Sequence, residues 1–439
     1  MMKNLWHIFD NWLTRAAGIA FLFIVALVIF NIYSDLPEDH PAFGVILFSA
    51  VPILFVVGGI IFVLAILRGT AVVRSKLVFL MSTGALSIML LFVGGYQLYG
   101  FTESTGFCGR LCHTAEYPEY TTYQASPHSR VSCTDCHVGS GASYWVKSKL
   151  AGVPIIFDTI FGSYDRPVTT PVHQLRPARE TCEQCHRPER FTGDLVVEHT
   201  TYAPDEKNTM FNDTLILRVG GGQSETAQDI HWHIAATVHY LPLDKARQDI
   251  AWVSVEDKNG QIDYINPDEA NQVTPQRIKS DERLMDCIDC HNRATHQFKS
   301  PETLLDDAFV QGRLDTSLPY LKQQAILALD PPNSSLAEAY AKVESIKDFY
   351  RANYPEIYQQ KEASINNSID TAKGIAVLTT FPYMHVTWKT YADNIGHQDS
   401  MGCFRCHGKL VVQNGPQKGQ TLSADCTLCH YSSVQGNPG

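Results

Sequence analysis

The stretch Ser132-Cys133-Thr134-Asp135-Cys136-His137 decides how this chain is read. Two cysteines three positions apart, with histidine directly after the second, can bond both vinyl groups of one haem while the histidine turns back onto the iron. Working outward, the pattern recurs at Cys182-Glu-Gln-Cys185-His186, Cys287-Ile-Asp-Cys290-His291, Cys403-Phe-Arg-Cys406-His407 and Cys426-Thr-Leu-Cys429-His430. A sixth copy, Cys108-Gly-Arg-Leu-Cys112-His113, has one extra residue between its cysteines. All 12 cysteines are thereby used. Zinc ribbons do not require His after every second cysteine, disulfide frameworks belong to short chains, and a thioredoxin-like pair occurs once in a βαβ setting. Six covalently attached haems c are therefore expected, with His113, His137, His186, His291, His407 and His430 as proximal ligands.

The chain has 17 histidines; six are proximal, His7 and His40 fall in the apolar N-terminal part, and nine remain for the far side of the irons. His128, His173, His296 and His397 stand at similar places relative to the motifs, which favours ligation. His231 and His233 flank Trp232 at strand-like i, i+2 spacing, which puts both on one face, and one of the two is expected to be a ligand. His199 is a further candidate, while His239 and His385 read more readily as surface or propionate-contacting groups. Met384 and Met401 are the thioether alternatives. Bis-His ligation gives low-spin irons suited to electron transfer.

The 439 residues are 45% hydrophobic and 18% charged, with a net charge of -10, and the mean hydropathy is -0.11. These averages merge two unlike parts. Residues 16–33, 43–67 and 77–99 carry no charge and approach or reach the length that crosses a hydrocarbon core of about 30 Å. Three transmembrane helices are expected. Arg68, Arg74 and Lys76 lie between the second and third, whereas Asp35, Glu38 and Asp39 lie between the first and second, so the N-terminus is cytoplasmic by the positive-inside rule. Everything after the third span is then periplasmic, on the outer face of a bacterial inner membrane. Apart from tyrosine the spans hold no ionisable group, which argues against an ion pump. The first hundred residues hold 5 of the 35 Lys+Arg and 4 of the 45 Asp+Glu, leaving 30 against 41 in the outer part. That acidic balance speaks against nucleic-acid binding.

The reading divides the chain into a three-helix anchor (1–101) and a periplasmic hexahaem domain (102–439). Within the latter, 102–190 is a trihaem part, 191–286 a β-containing insert with strand-like 214–219 and 251–255, and 287–439 a helical part with periodicity over 335–353 and 356–377. The fold class is a mainly α membrane anchor plus an α+β, loop-rich multihaem domain with little regular secondary structure. About 57 residues per haem leave macrocycles to fill much of the interior in place of an apolar core.

Phe107-Cys108 through Cys133-Thr-Asp-Cys-His137, with Tyr123-Gln-Ala-Ser-Pro-His128, His173-Gln-Leu-Arg and Cys182-Glu-Gln-Cys-His186, resembles the NapC/NirT family of membrane-anchored multihaem cytochromes c. Ile230-His-Trp-His233, Met285 to Arg293 and Val386-Thr-Trp388 to His407 are similar to its longer members. The resemblance implies electron uptake from membrane quinol or menaquinol and delivery to a periplasmic cytochrome or reductase, and it matches His128 and His173 to distal ligands. It also implies a quinol-site lysine after the second motif; Lys147 and Lys149 are the nearest matches, each one residue out of alignment, and Glu116 or Asp135 would substitute for the relatives' acidic partner, which is not evident here. Two features depart from the shorter members: three spans replace one, and Ala115 stands where some relatives place an axial Met.

About seven residues separate the third span from Cys108, an extended reach of at most about 25 Å, so the first haem lies near the membrane surface. Quinol oxidation through the haems is the leading expectation. The alternatives are an electron-relay subunit docked to other subunits of a respiratory or photosynthetic membrane complex, and a terminal reductase of a small oxyanion at an open haem.

Overall fold

The computed structural model describes residues 84–435, apart from 90–91, 95, 98, 112, 172–175, 192, 223–227, 258–259, 331 and 399. The chain forms two compact units, Met1–Leu111 with Ser132–Thr134, and Cys112–Val131 with Asp135–Gly439.

In the first unit, helix α1 (Gly84–Glu103) is 20 residues long and apolar enough to cross a membrane. It overlaps the expected third span; the expected spans 16–33 and 43–67 lie outside the described residues. Ser104 ends it by donating its hydroxyl to the Phe101 carbonyl (2.7 Å) and accepting from the Phe107 amide (3.1 Å). Phe101 and Phe107 stack edge to face across this turn at 5.3 Å. The Thr134 hydroxyl reaches the Glu103 carbonyl at 3.4 Å. Phe107–Leu111 is then a single π-helical turn. A π turn is an α turn with one residue inserted, and it falls where the first motif has its extra residue.

The second unit interleaves short helices with two antiparallel sheets. Helix α2 (His113–Gln124) precedes α3 (Cys133–His137), which begins in the first unit, and α4 (Ala142–Phe161) and α5 (Ala178–Cys182) follow. Strands β1 (Leu195–Tyr202) and β2 (Met210–Leu217) pair in register from Leu195 opposite Leu217 to Tyr202 opposite Met210. Helix α6 (Trp232–Ala235) leads into β3 (Thr237–Pro242), β4 (Ile250–Asp257) and β5 (Gly260–Ile265). Then come α7 (Pro275–Asp281), β6 (Arg283–Leu284) and α8 (Cys287–Cys290). The last strands, β7 (Val411–Val412) and β8 (His430–Gln435), give sheet orders β6-β3-β4-β5-β7 and β1-β2-β8. Thus the helical C-terminal part of the sequence reading also supplies an edge strand to each sheet.

Between them lie α9 (Pro301–Val310), α10 (Leu321–Leu329), α11 (Leu336–Glu344), α12 (Ile346–Asn353), α13 (Pro355–Gln360) and α14 (Glu362–Thr379). The expected periodic segments become α11 to α14, broken at Ser345, Pro355 and Lys361, while α9 and α10 were not expected. These helices bury Leu305, Leu318, Leu321, Val343, Tyr350, Ile365, Ile369 and Ala376 together. Ser300 and Ser335 cap α9 and α11 through their hydroxyls. Segment 301–379 contains neither Cys nor His. The expectation that macrocycles fill much of the interior does not extend to this segment: the motifs crowd into the rest of the chain, and 301–379 packs by ordinary hydrophobic burial. It is also more regular than expected.

Lys322, 1% exposed, ties this helical segment to β1. Its ammonium pairs with Asp306 (2.7 Å) and Glu302 (3.3 Å) and donates to the Tyr202 carbonyl (2.5 Å), while Asp306 accepts from the Tyr202 amide (3.0 Å).

Candidate functional site

Five of the six motif histidines face a second histidine. His137 meets His296 with ring centroids 6.3 Å apart, His186 meets His128 at 6.0 Å, and His291 meets His231 at 6.4 Å. His407 meets His233 at 6.0 Å and His430 meets His397 at 6.3 Å. A metal–imidazole bond is about 2 Å and the ring centre lies about 1.1 Å behind the nitrogen, so two rings bracketing one metal ion should stand about 6.3 Å apart. The observed range of 6.0 to 6.4 Å fits one iron between each pair.

The rings are also set in the tautomer that ligation needs. His231 Nδ1–H donates to the Val219 carbonyl (3.0 Å), His233 Nδ1–H to Ile230 (2.8 Å) and His296 Nδ1–H to Glu119 (2.9 Å). His407 and His430 do likewise to Ser423 (2.6 Å) and Tyr431 (3.3 Å). A carbonyl only accepts, so Nδ1 carries the proton and Nε2 keeps its lone pair for a metal. Burial pushes His296 down to about 4 and also lowers His137, His233 and His291, which keeps these imidazoles neutral. His128 differs: its Nδ1 is buried with no partner.

His231 and His233 correct the strand-like reading. His231 caps and His233 lies in the helical turn α6. Positions i and i+2 of a helix point about 200° apart, so each ring meets a different motif. His173 and the His113 side chain lie outside the described residues. His199 is exposed on β1, His385 is exposed with φ 55°, and His239 lies 3.8 Å from Glu282. Of the thioether alternatives, Met384 is 2% exposed in an apolar cluster with Ala115, Phe381 and Val386, and Met401 is exposed.

The motifs are also brought against one another. The Cys182 thiol lies beside that of Cys287, and the Cys403 thiol beside that of Cys429. This sets the third motif beside the fourth, and the fifth beside the sixth. The fourth and fifth are joined by residues the sequence reading passed over, the ones between the cysteines. Arg405, 8% exposed, donates to the Asp289 carbonyl (2.6 Å), the Arg247 carbonyl (2.9 Å) and the Gly402 carbonyl (2.9 Å). The Asp289 carboxylate, 4% exposed, accepts from Tyr240 (2.5 Å) and Arg247 (2.9 Å). Asp286 and Asp289 form a capping box around α8, which fixes Cys287 and Cys290 on one turn. At Gly402, φ is +45° and a Cβ would strike the Gly396 carbonyl, so only glycine lets the chain pass before Cys403. Arg293, two residues after His291, is 8% exposed, lies 4.0 Å over the Tyr391 ring and leaves Nε buried without a partner.

Lys147 and Lys149 stand on α4 with their ammonium groups 5.5 Å over Tyr144 and 5.6 Å over Trp145. Glu116 is on α2, where burial raises its pKa; the adjacent Glu119 is pushed up to about 7 by burial and then by the Glu116 charge. The ring contacts of the two lysines are thus within their own helix, and Glu116 is on another.

Paired cysteines, adjacent histidines and facing imidazoles define a multihaem c-type cytochrome, an electron-transfer protein. The model of the NapC/NirT cytochrome c family, N-terminal region, matches residues 71–178. The chain is 37% identical over 441 aligned positions to the cytochrome c-type protein ImcH of Geobacter sulfurreducens, covering 94% of this chain and 85% of that protein. No solved structure matches. The chain belongs to the NapC/NirT cytochrome c family, whose members are membrane-anchored cytochromes.

Proposed function

We propose that this chain is a hexahaem cytochrome of the bacterial inner membrane, with three spans, a cytoplasmic N-terminus and a periplasmic haem domain. It takes electrons from the menaquinol pool and delivers them to a periplasmic cytochrome or reductase. The observation that carries the reading is the set of five histidine pairs at 6.0 to 6.4 Å. Each bound haem would supply reversible one-electron exchange at an iron held between two imidazoles.

The cysteine pairs would hold the six macrocycles. His137 with His296, His186 with His128, His291 with His231, His407 with His233 and His430 with His397 would be the axial ligands, and His113 would be the proximal ligand of the first. His173 is the remaining distal candidate of the sequence reading. Backbone carbonyls hold the rings of His231, His233, His296, His407 and His430, which would limit their rearrangement when a bound haem changed charge. The closeness of Cys182 to Cys287 and of Cys403 to Cys429, and the Arg405 bond to the Asp289 carbonyl, support an unbroken series of the third to sixth attachment sites. The unpartnered Arg293 Nε supports the fit, since a haem propionate would supply the acceptor that this buried donor lacks. For the quinol site, Lys147, Lys149 and Glu116 remain the residues proposed.

Holoprotein in lipid nanodiscs, mixed anaerobically with a reduced menaquinol analogue, tests this reading. The α-band of reduced haem should grow with this chain alone. Reduction only after another membrane subunit is added would show a relay subunit instead.

A further inference from the structure

Helix α4 carries a feature that the haem relay does not use. Along its 20 residues, Val146 (47%), Leu150 (68%), Val153 (47%), Phe157 (56%), Ile160 (68%) and Phe161 (77%) are all exposed. Their spacing of four and three residues gathers them on one stripe of the helix. Phe157 and Phe161 lie parallel at 6.5 Å, forming one flat apolar end. Lys147, Ala151 and Asp158 fall on the other side of the wheel, where Ile155 (54%) is also exposed, and Lys149 flanks the stripe. Isolated exposed apolar side chains are ordinary, but a continuous stripe of this length marks a surface that is covered in use.

The chain itself indicates what covers it. The Thr134 hydroxyl meets the Glu103 carbonyl, the last residue of α1. Only eight residues lead from Thr134 to Ala142, a span of at most about 28 Å when extended. The covalent tether therefore limits the start of α4 to within about 28 Å of Thr134. The polar groups near that start are those of a bilayer interface: Tyr144 and Trp145, with Lys147 and Lys149 beside their rings.

We propose that α4 is an in-plane membrane helix, with its Val146-to-Phe161 stripe sunk among lipid acyl chains and its lysines at the phosphate level. A helix of this length, about 30 Å, would give the haem domain a second footing on the bilayer and fix its tilt against the quinol-bearing interface. This rests on the membrane anchoring proposed above.

The test places the photocrosslinker p-benzoylphenylalanine at Phe157, at Phe161 and, as a control on the opposite side, at Ala151, in holoprotein reconstituted into phosphatidylethanolamine–phosphatidylglycerol nanodiscs. Irradiation followed by mass spectrometry should show lipid adducts at Phe157 and Phe161 at least several-fold above Ala151. Equal or absent adducts at all three positions would place the stripe in water and overturn the proposal. Adducts to a second copy of the chain would overturn it in favour of a protein partner. Haem-loaded protein that does not co-elute with the discs would instead overturn the anchoring reading on which it rests.

Discussion

His231 and His233 offer a sharp perturbation, because two histidines separated by one residue are assigned to two different irons. Their rings stand 6.4 Å from His291 and 6.0 Å from His407, each near the separation of about 6.3 Å that one iron between two imidazoles requires. His231→Ala should therefore leave the haem of the fourth motif without its distal ligand, and His233→Ala should do the same to the fifth. With six haems per chain, each single change should convert about one sixth of the low-spin ferric signal to high spin, and the double variant about one third. Electron paramagnetic resonance reads the spin states, and carbon monoxide binding to the reduced protein counts the opened sites: one more per single variant, two more for the double. The reasoning is refuted if the double variant opens no more sites than either single one, since the two histidines would then serve the same iron. It is refuted equally if neither change alters the spin state.

Other expectations follow from the packing. Lys322→Met strands the buried Asp306 carboxylate and should destabilise the 301–379 helical segment by about 3–5 kcal/mol, with much of the loss recovered by adding Asp306→Leu; thermal unfolding by circular dichroism measures this, and the haem absorption of the folded variant should be unchanged. Gly402→Ala drives a Cβ into the Gly396 carbonyl and should abolish attachment at the fifth motif, seen as an intact mass lower by one haem. Residues 101–439, with 41 acidic against 30 basic side chains, should reduce a basic soluble cytochrome several-fold faster at low than at physiological ionic strength in stopped flow.

What could be read from the sequence was the chemistry that is local along the chain. Cys-x-x-Cys-His is a covalent requirement written in five or six consecutive residues, so the attachment sites and proximal ligands could be proposed without a fold. The histidines recurring near the motifs, His128, His296 and His397, do face motif histidines, but not always the nearest. His296 follows His291 by five residues yet meets His137, where the Glu119 carbonyl, distant in sequence, holds its ring. The i, i+2 pair was misread because alternation argues for a strand only where the backbone is extended, and at Trp232 it turns helical. Asp289 and Arg405 were invisible for another reason: within a motif they look like filler, and only the fold brings Tyr240 and Arg247 to the carboxylate and the Asp289 and Arg247 carbonyls to the guanidinium. The 301–379 core went unrecognised because a mean number of residues per haem hides how unevenly the haems are spread.

The most direct test of the relay is a count of bis-histidine irons in the purified ferric holoprotein by near-infrared magnetic circular dichroism, whose charge-transfer bands distinguish histidine–histidine from histidine–methionine pairs. The account predicts at least five bis-histidine low-spin haems per chain, one for each observed pair. Fewer than five, or methionine-ligated irons among those of the second to sixth motifs, would contradict it.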